Sequence, residues 1–196
     1  MRRNPIRTPR AKRPVTVPGA APPLPLANGG RAGHAPLVRE LSWKGFDALA
    51  LELARGLAPT FEPDCVVGVA KGGVFVGGAV ASALRRDFFP VRISRRSRDQ
   101  VVREVPKAFG VMPRELRGKR VLIVDDVAAS GETLELAKKL AKRAGAEQVK
   151  TAALAVRPGG FRPDFFATET EELIVFPWDY DFFPGAAASE PFPSGE

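Results

Sequence analysis

The 196-residue chain has one cysteine and one histidine. A lone cysteine closes no internal disulfide, and Cys65 sits in the apolar run "CVVGVA", where it reads as a small buried hydrophobe. So few soft ligands argue against a protein-built zinc site. No apolar run approaches the ~20 residues that a membrane-crossing helix needs, so no membrane partner is expected. The basic start has no apolar stretch behind it and is not read as a secretory signal; the expected location is cytoplasmic. Acidic residues are missing from residues 1–35, which hold seven Lys/Arg. The net charge of +8 belongs to that segment, since the remainder carries 23 basic and 22 acidic residues. The high pI is then not the footprint of a basic binding face, and no specific nucleic-acid partner is expected.

What is present divides the chain in three. Residues 1–35 are rich in Pro, Arg and Gly, and are expected to form a disordered basic leader, unable to bury enough surface to order itself. Residues 184–196 read as a flexible tail. The 36–183 segment between them is long enough for one domain with its own core. Within it, "LSWKGFDALALELARGL" carries a helical apolar stripe behind the plausible N-cap Ser42. "CVVGVA" (65–70) is a short buried strand, and "VFVGGAVASAL" is a helix packed through small residues. "FPVRIS" (89–94), "KRVLIVDD" (119–126), "QVKTAALAV" (148–156) and "ELIVF" (172–176) are further strands. "GETLELAKKLAKRAGA" is a helix with acids in its first turn and bases in its last, stopped by Gly145. Strands alternating with helices predict an α/β fold: an open, mainly parallel twisted sheet flanked by helices, with a small hood from the chain ends. Residues 95–118 have no long apolar run and read as a mobile lid loop.

Ligands of such sheets lie at the carboxyl ends of the strands. Two loops there stand out. In Ala70-Lys71-Gly72-Gly73, paired glycines let backbone N–H groups approach a ligand and Lys71 adds a point charge, which suits an anion such as a phosphate. In "VLIVDDVAASGETL" (121–134), residues Ala129, Ser130, Gly131, Glu132 and Thr133 lead into a helix N-terminus. Its N–H groups and the Ser130 and Thr133 hydroxyls suit a phosphate dianion. Asp125 and Asp126 repel that anion and instead suit a diol, a divalent metal, or both. A sugar flanked by phosphate on both sides satisfies all of these groups. Neither G-x4-G-K-[ST] nor G-x-G-x-x-G is present, and the Ser-Gly-x-Thr helix start argues against a phospho-acceptor receiver domain.

With these residues in place, the chain resembles the type I phosphoribosyltransferases over roughly residues 38–183. Their signature is an apolar strand, two acids, then a small-residue loop ending T/S-G-x-T. "AKGG" looks like the family's pyrophosphate loop. "LIVFPWDYD" and "LAVRP" (154–158) resemble elements of the xanthine, guanine and hypoxanthine (6-oxopurine) enzymes. The resemblance implies 5-phosphoribosyl-1-pyrophosphate, with magnesium, as the ligand. It puts the 5′-phosphate on residues 129–133, the ribose hydroxyls and metal on Asp125 and Asp126, and the pyrophosphate on Lys71 and Gly72. Arg95 and Arg96 of the lid would reach the pyrophosphate on closure. Arg157 would face the purine 6-oxo group, where the family usually has lysine. Leu173 stands where relatives stack an aromatic ring on the base. Trp178 and Asp179 match the base-side element, with hood packing as the competing role for Trp178 and a second metal as a further role for Asp179.

Two departures bear on the base. Ala129 stands where several 6-oxopurine enzymes have an aspartate proposed to handle the N7 proton, while adenine-type members also have a small residue there. "SRRSRD" replaces the Ser-Tyr of the purine-enzyme lid. The expected activity is transfer of phosphoribose to a purine, 6-oxopurine favoured, in salvage. The alternative is a regulatory or ligand-sensing protein on the same fold that binds phosphoribosyl pyrophosphate or a nucleotide without turnover. A homodimer or tetramer is carried over from the family as an expectation.

Overall fold

The computed structural model describes residues 37–94, 96–97, 100–101 and 106–179. The leader 1–35, the tail 184–196 and Arg95 lie outside the described residues. The elements are β1 (Val38–Glu40), α1 (Trp43–Leu57), β2 (Cys65–Ala70), α2 (Gly72–Leu84), β3 (Asp87–Ser94), β4 (Arg96–Ser97) and β5 (Gln100–Val101). They continue with β6 (Lys107–Phe109), β7 (Arg120–Ala128), α3 (Glu132–Arg143), β8 (Gln148–Val156), β9 (Phe165–Glu169) and β10 (Leu173–Val175). No helix among them is long and apolar enough to cross a membrane.

The main sheet runs β6-β3-β2-β7-β8-β9, parallel except for β6. Alternation along the central strands divides the core in two. Val66, Leu122, Val124, Ala152 and Leu154 face α1 and α2 with Phe46, Leu53, Leu57, Val76 and Val80. Val67, Val69, Val121, Ile123 and Ala153 face α3 with Leu134, Ala137 and Ala141. Successive strand residues point to opposite faces, so strands buried on both faces read as continuous apolar runs. The helix ends follow local chemistry. Ser42 caps α1 by accepting from Gly45 N at 3.1 Å. Gly145, at φ 95°, lets the chain leave α3 through the left-handed region that side chains avoid.

The hood expected from the chain ends is formed by β10 pairing in parallel with β1, so the strand at 172–176 stands apart from the main sheet. Two features differ from expectation. The strand that occupies the sheet edge is β9, unforeseen because "DFFATE" lacks a long apolar run and its residues are only half-buried. The 95–118 segment is not one uninterrupted loop. Lys107–Phe109 returns antiparallel to β3, and Leu116 is wholly buried against the α3-side core. A few apolar residues, Ala108, Met112 and Leu116, anchor that end.

The connections fix where a ligand can sit. From β2 the chain crosses through α2 to β3 on one side, and from β7 through α3 to β8 on the other. The crevice between β2 and β7 is therefore the point at which the winding reverses, the usual ligand position in an open α/β sheet.

Candidate active site

Strand β7 supplies the acids. Its pairing with β2 ends at Gly68↔Val124, whereas its pairing with β8 continues to Ala128↔Val156. Asp125 and Asp126 thus fall just beyond the last β2 partner, where the sheet opens. The Asp126 N–H donates to Asp125 Oδ1 at 3.0 Å, and the Val127 N–H donates to Asp126 Oδ1 at 2.7 Å. Burial, and then the charge of Asp126, hold the Asp125 carboxyl well above the usual carboxylate range. Burial raises Asp126 as well, and the nearby charge of Asp179 adds to it. Two adjacent carboxyls held this way gain most from a ligand that brings hydroxyl donors or positive charge.

The lysine–glycine loop lies against this pair. An ideal Cβ on Gly72 would fall 1.7 Å from Asp126 Oδ2, and one on Gly73 would fall 2.6 Å from the Val124 carbonyl oxygen. Only glycine fits at either place. Further along, Gly77 meets the Gly68 Cα at 3.0 Å and the Phe88 ring at 2.8 Å by the same measure. Glycines on both elements draw α2 onto β2, which brings the start of α2 down onto the acids. Lys71 is exposed and joined to Ala70 by a cis peptide bond. The structure therefore brings together Lys71, Gly72, Asp125 and Asp126, which the sequence places more than fifty residues apart.

The third part is the turn into α3. Ala129 and Ser130 are exposed, and Gly131 is the N-cap at φ 75°. A glycine N-cap has no side chain with which to satisfy the first N–H groups of the helix, which makes this end suited to an anion. Glu132 is exposed and Thr133 half-buried in the first turn. Opposite this turn lies Phe161, a residue the sequence reading missed. Its N–H donates to the Ala129 carbonyl at 3.0 Å and its ring covers Gly131. The landing place of this ring is a tertiary fact that no local pattern announces.

The residues expected on the base side separate. Arg157, at the end of β8, donates through Nη1 to the carbonyl oxygens of Glu171 and, at 3.0 Å, Glu172. This ties it to the start of β10, where Leu173 N donates to the Leu37 carbonyl at 2.8 Å. Arg157 and Leu173 are thus neighbours. Trp178 is packed on both faces: Phe75 stacks at 4.6 Å and 3°, and Phe176 at 4.7 Å and 6°. Phe46 meets it edge-on at 5.2 Å. A planar base finds no open face on Trp178, and the ring's visible work is to join hood, α1 and α2. Each such aromatic pair contributes about 0.5–1.5 kcal/mol beyond area burial. Asp179 accepts from Phe176 N at 2.9 Å and closes the turn that carries Trp178. Among the described residues, no group of three or more His, Cys, Asp or Glu side chains gathers to hold a metal ion, so Asp125, Asp126 and Asp179 do not form a three-carboxylate centre. Arg96 is described only as part of β4.

A crevice at the reversal of winding, a lysine–glycine loop seated on two acids and a glycine-capped helix start form the framework of a known family. The model of the phosphoribosyl transferase domain matches residues 41–182. The chain belongs to this family. Its fold is that of the type I phosphoribosyltransferases. The adenine phosphoribosyltransferase of Brucella ovis is 38% identical over 93 residues, 44% of this chain and 51% of that protein. The chain thus spans about half the length of the curated relatives it matches. Among solved structures, a purine phosphoribosyltransferase from Pyrococcus horikoshii is 32% identical with a TM-score of 0.64, covering 75% of this chain and 96% of that one. The Helicobacter pylori xanthine-guanine-hypoxanthine phosphoribosyltransferase shares the fold at 19% identity and a TM-score of 0.61, covering 74% and 95%.

Proposed function

We propose that this chain is a purine phosphoribosyltransferase. It transfers the phosphoribosyl group of 5-phosphoribosyl-1-pyrophosphate to a ring nitrogen of a purine and releases pyrophosphate. The observation that carries this reading is the seating of Gly72 on Asp126, which fuses the lysine–glycine loop and the acid pair into one crevice. In this reading Lys71 and the Gly72 N–H hold the pyrophosphate. Asp125 and Asp126 accept from the ribose 2′- and 3′-hydroxyls. Residues 129–133 take the 5′-phosphate through the helix N-terminus and the Ser130 and Thr133 hydroxyls.

Magnesium fits the donor set. Asp125 and Asp126 offer oxygen only, and magnesium is usually held by one or two carboxylates together with substrate phosphates rather than by a cage of protein ligands. When bound it supplies neutralisation of the leaving pyrophosphate. The protein's own contribution is to orient the two substrates, fix the ribose and exclude water. As the C1′–O bond to pyrophosphate breaks, the base nitrogen forms its bond to C1′ and loses its proton. The methyl group of Ala129 cannot take that proton, so it leaves to solvent or to the departing pyrophosphate.

The base favoured is a 6-oxopurine. A guanidinium has donors and no acceptor, and in this reading Arg157, held by the carbonyls of Glu171 and Glu172, faces the 6-position of the base. A 6-oxo group at that position accepts from it, and a 6-amino group does not. A second reading, adenine, is favoured by the curated relatives and by the small residue at position 129. Turnover of guanine, hypoxanthine, xanthine and adenine, with magnesium and phosphoribosyl pyrophosphate, separates them. The expected result is a kcat/KM at least tenfold higher for a 6-oxopurine, about the value of one well-placed hydrogen bond. Preference for adenine would overturn the Arg157 argument alone. Binding of phosphoribosyl pyrophosphate without turnover of any base would point instead to a ligand-sensing protein. Failure to bind it would overturn the whole reading.

A further inference from the structure

Gly131 turns the chain from β7 into α3 at φ 75°, and it has no side chain with which to hold that turn in place. Another residue takes the space. An ideal Cβ on Gly131 would lie 2.0, 2.3 and 2.5 Å from Cγ, Cδ2 and Cδ1 of Phe161. The same residue is fastened to the loop by its backbone, since Phe161 N donates to the Ala129 carbonyl at 3.0 Å. Its neighbour Gly160 is also close: a Cβ there would fall 3.0 Å from the Ala129 carbonyl oxygen and 3.1 Å from that of Arg157. The ring is half-buried and packs against the α3-side core. The loop that opens α3 is thus covered from one side by a ring that rests on the core.

We propose that Phe161 is a positioning residue for the phosphate loop 129–133. This rests on the reading of that loop as the seat of the 5′-phosphate. A loop containing a glycine at positive φ has many conformations open to it, and each must be given up when an anion is bound. A ring pressed on Gly131 removes most of them beforehand, so the N–H groups of the α3 start already converge when the ligand arrives. Phe161 touches no reacting atom in this arrangement. Its effect belongs to one half of the ligand only, because the lysine–glycine loop is built on β2 and α2, away from the 157–161 turn.

The test compares the two halves separately. Calorimetry on the full chain uses ribose 5-phosphate, which carries only the 5′-phosphate, and inorganic pyrophosphate with magnesium, which addresses only the other loop. For Phe161→Ala the expected result is a loss of about tenfold in ribose 5-phosphate affinity and a similar rise in KM for phosphoribosyl pyrophosphate, with a smaller change in kcat. Pyrophosphate binding should stay at the wild-type value, which also shows that the variant is folded. Phe161→Tyr, which keeps the ring, should restore ribose 5-phosphate binding, and Phe161→Leu should restore part of it. Unchanged ribose 5-phosphate affinity in Phe161→Ala overturns the proposal. Equal loss of both probes also overturns it, since Phe161 would then be a general structural residue. If the wild-type chain binds neither probe, the phosphoribosyltransferase reading itself fails and this proposal falls with it.

Discussion

At the foot of β7, Asp64 accepts from the Arg120 backbone N–H at 2.7 Å and from its guanidinium at 2.9 Å. The Arg120 hydrogen bonds hold the Asp64 carboxyl below its usual range. At the head of the same strand, Asp125 and Asp126 stand side by side, and burial holds both above it. The two ends of β7 thus meet different acids: at its foot Asp64, just before β2, is arranged for the folded state, and at its head the strand's own pair is arranged against it. Asp64 is at home with its charge and asks for no ligand. Asp125 and Asp126 carry unfavourable charge until something arrives to accept it, and such sites are where stability is given up for function. The contrast also separates two kinds of acid that look alike in sequence.

Four substitutions sharpen or break this contrast. The largest effect is expected at the head. Asp125→Asn and Asp126→Asn should each lower kcat/KM for phosphoribosyl pyrophosphate by about 100-fold or more, the loss typical of one preorganised polar group in a site. Both should nevertheless raise the melting temperature of the unliganded protein near neutral pH. The sign follows from the raised carboxyls. The folded state holds protons that the unfolded state releases, so stability falls as pH rises from the unfolded value through the folded one. The gain from Asp125→Asn should therefore be greatest at neutral pH and shrink on acidification. A melting temperature that drops in these variants would remove the contrast.

Next comes Gly72→Ala. The added methyl has its ideal place 1.7 Å from Asp126 Oδ2, so loop and acid must move apart. A shift near 1 Å in a site of this kind costs about 100-fold in rate. Steady-state kinetics should show it in KM for phosphoribosyl pyrophosphate as well as in kcat, with circular dichroism unchanged. Normal kinetics would show that the two loops do not act as one site. The smallest effect is expected at the foot. Asp64→Asn should leave kinetics unaltered and lower the melting temperature by a few degrees at most, because an exposed pair is screened by solvent. This loss should be seen near neutral pH and vanish as pH falls through the depressed Asp64 value, the reverse of the trend at the head.

Much of the frame was legible because it rests on local chemistry. The runs "CVVGVA" and "VLIV" announce strands buried on both faces, Ser42 announces its cap, and Gly145 its stop. The acids, the glycine pair and the Ser-Gly-Glu-Thr turn could be read as ligand groups from residue type and order alone. What was not legible depends on distant partners. β10 has the apolar character of a core strand, yet it pairs with three residues near the start of the domain. β9 is an edge strand whose half-buried residues carry little pattern. The sequence leaves the role of Trp178 open between base and hood, and only Phe75 and Phe176, about one hundred residues apart, cover its two faces. Phe161 gave no sign at all, since its value lies in the empty space beside a glycine thirty residues earlier.

The aromatic stack has an optical consequence. The chain contains two tryptophans. Trp43 and Trp178 lie with ring centroids 6.1 Å apart in the same cluster, joined through Phe46 and Phe75. The tryptophan emission of the protein therefore arises from a single place, the seam where the hood meets α1 and α2. A change in tryptophan emission is a report from that seam.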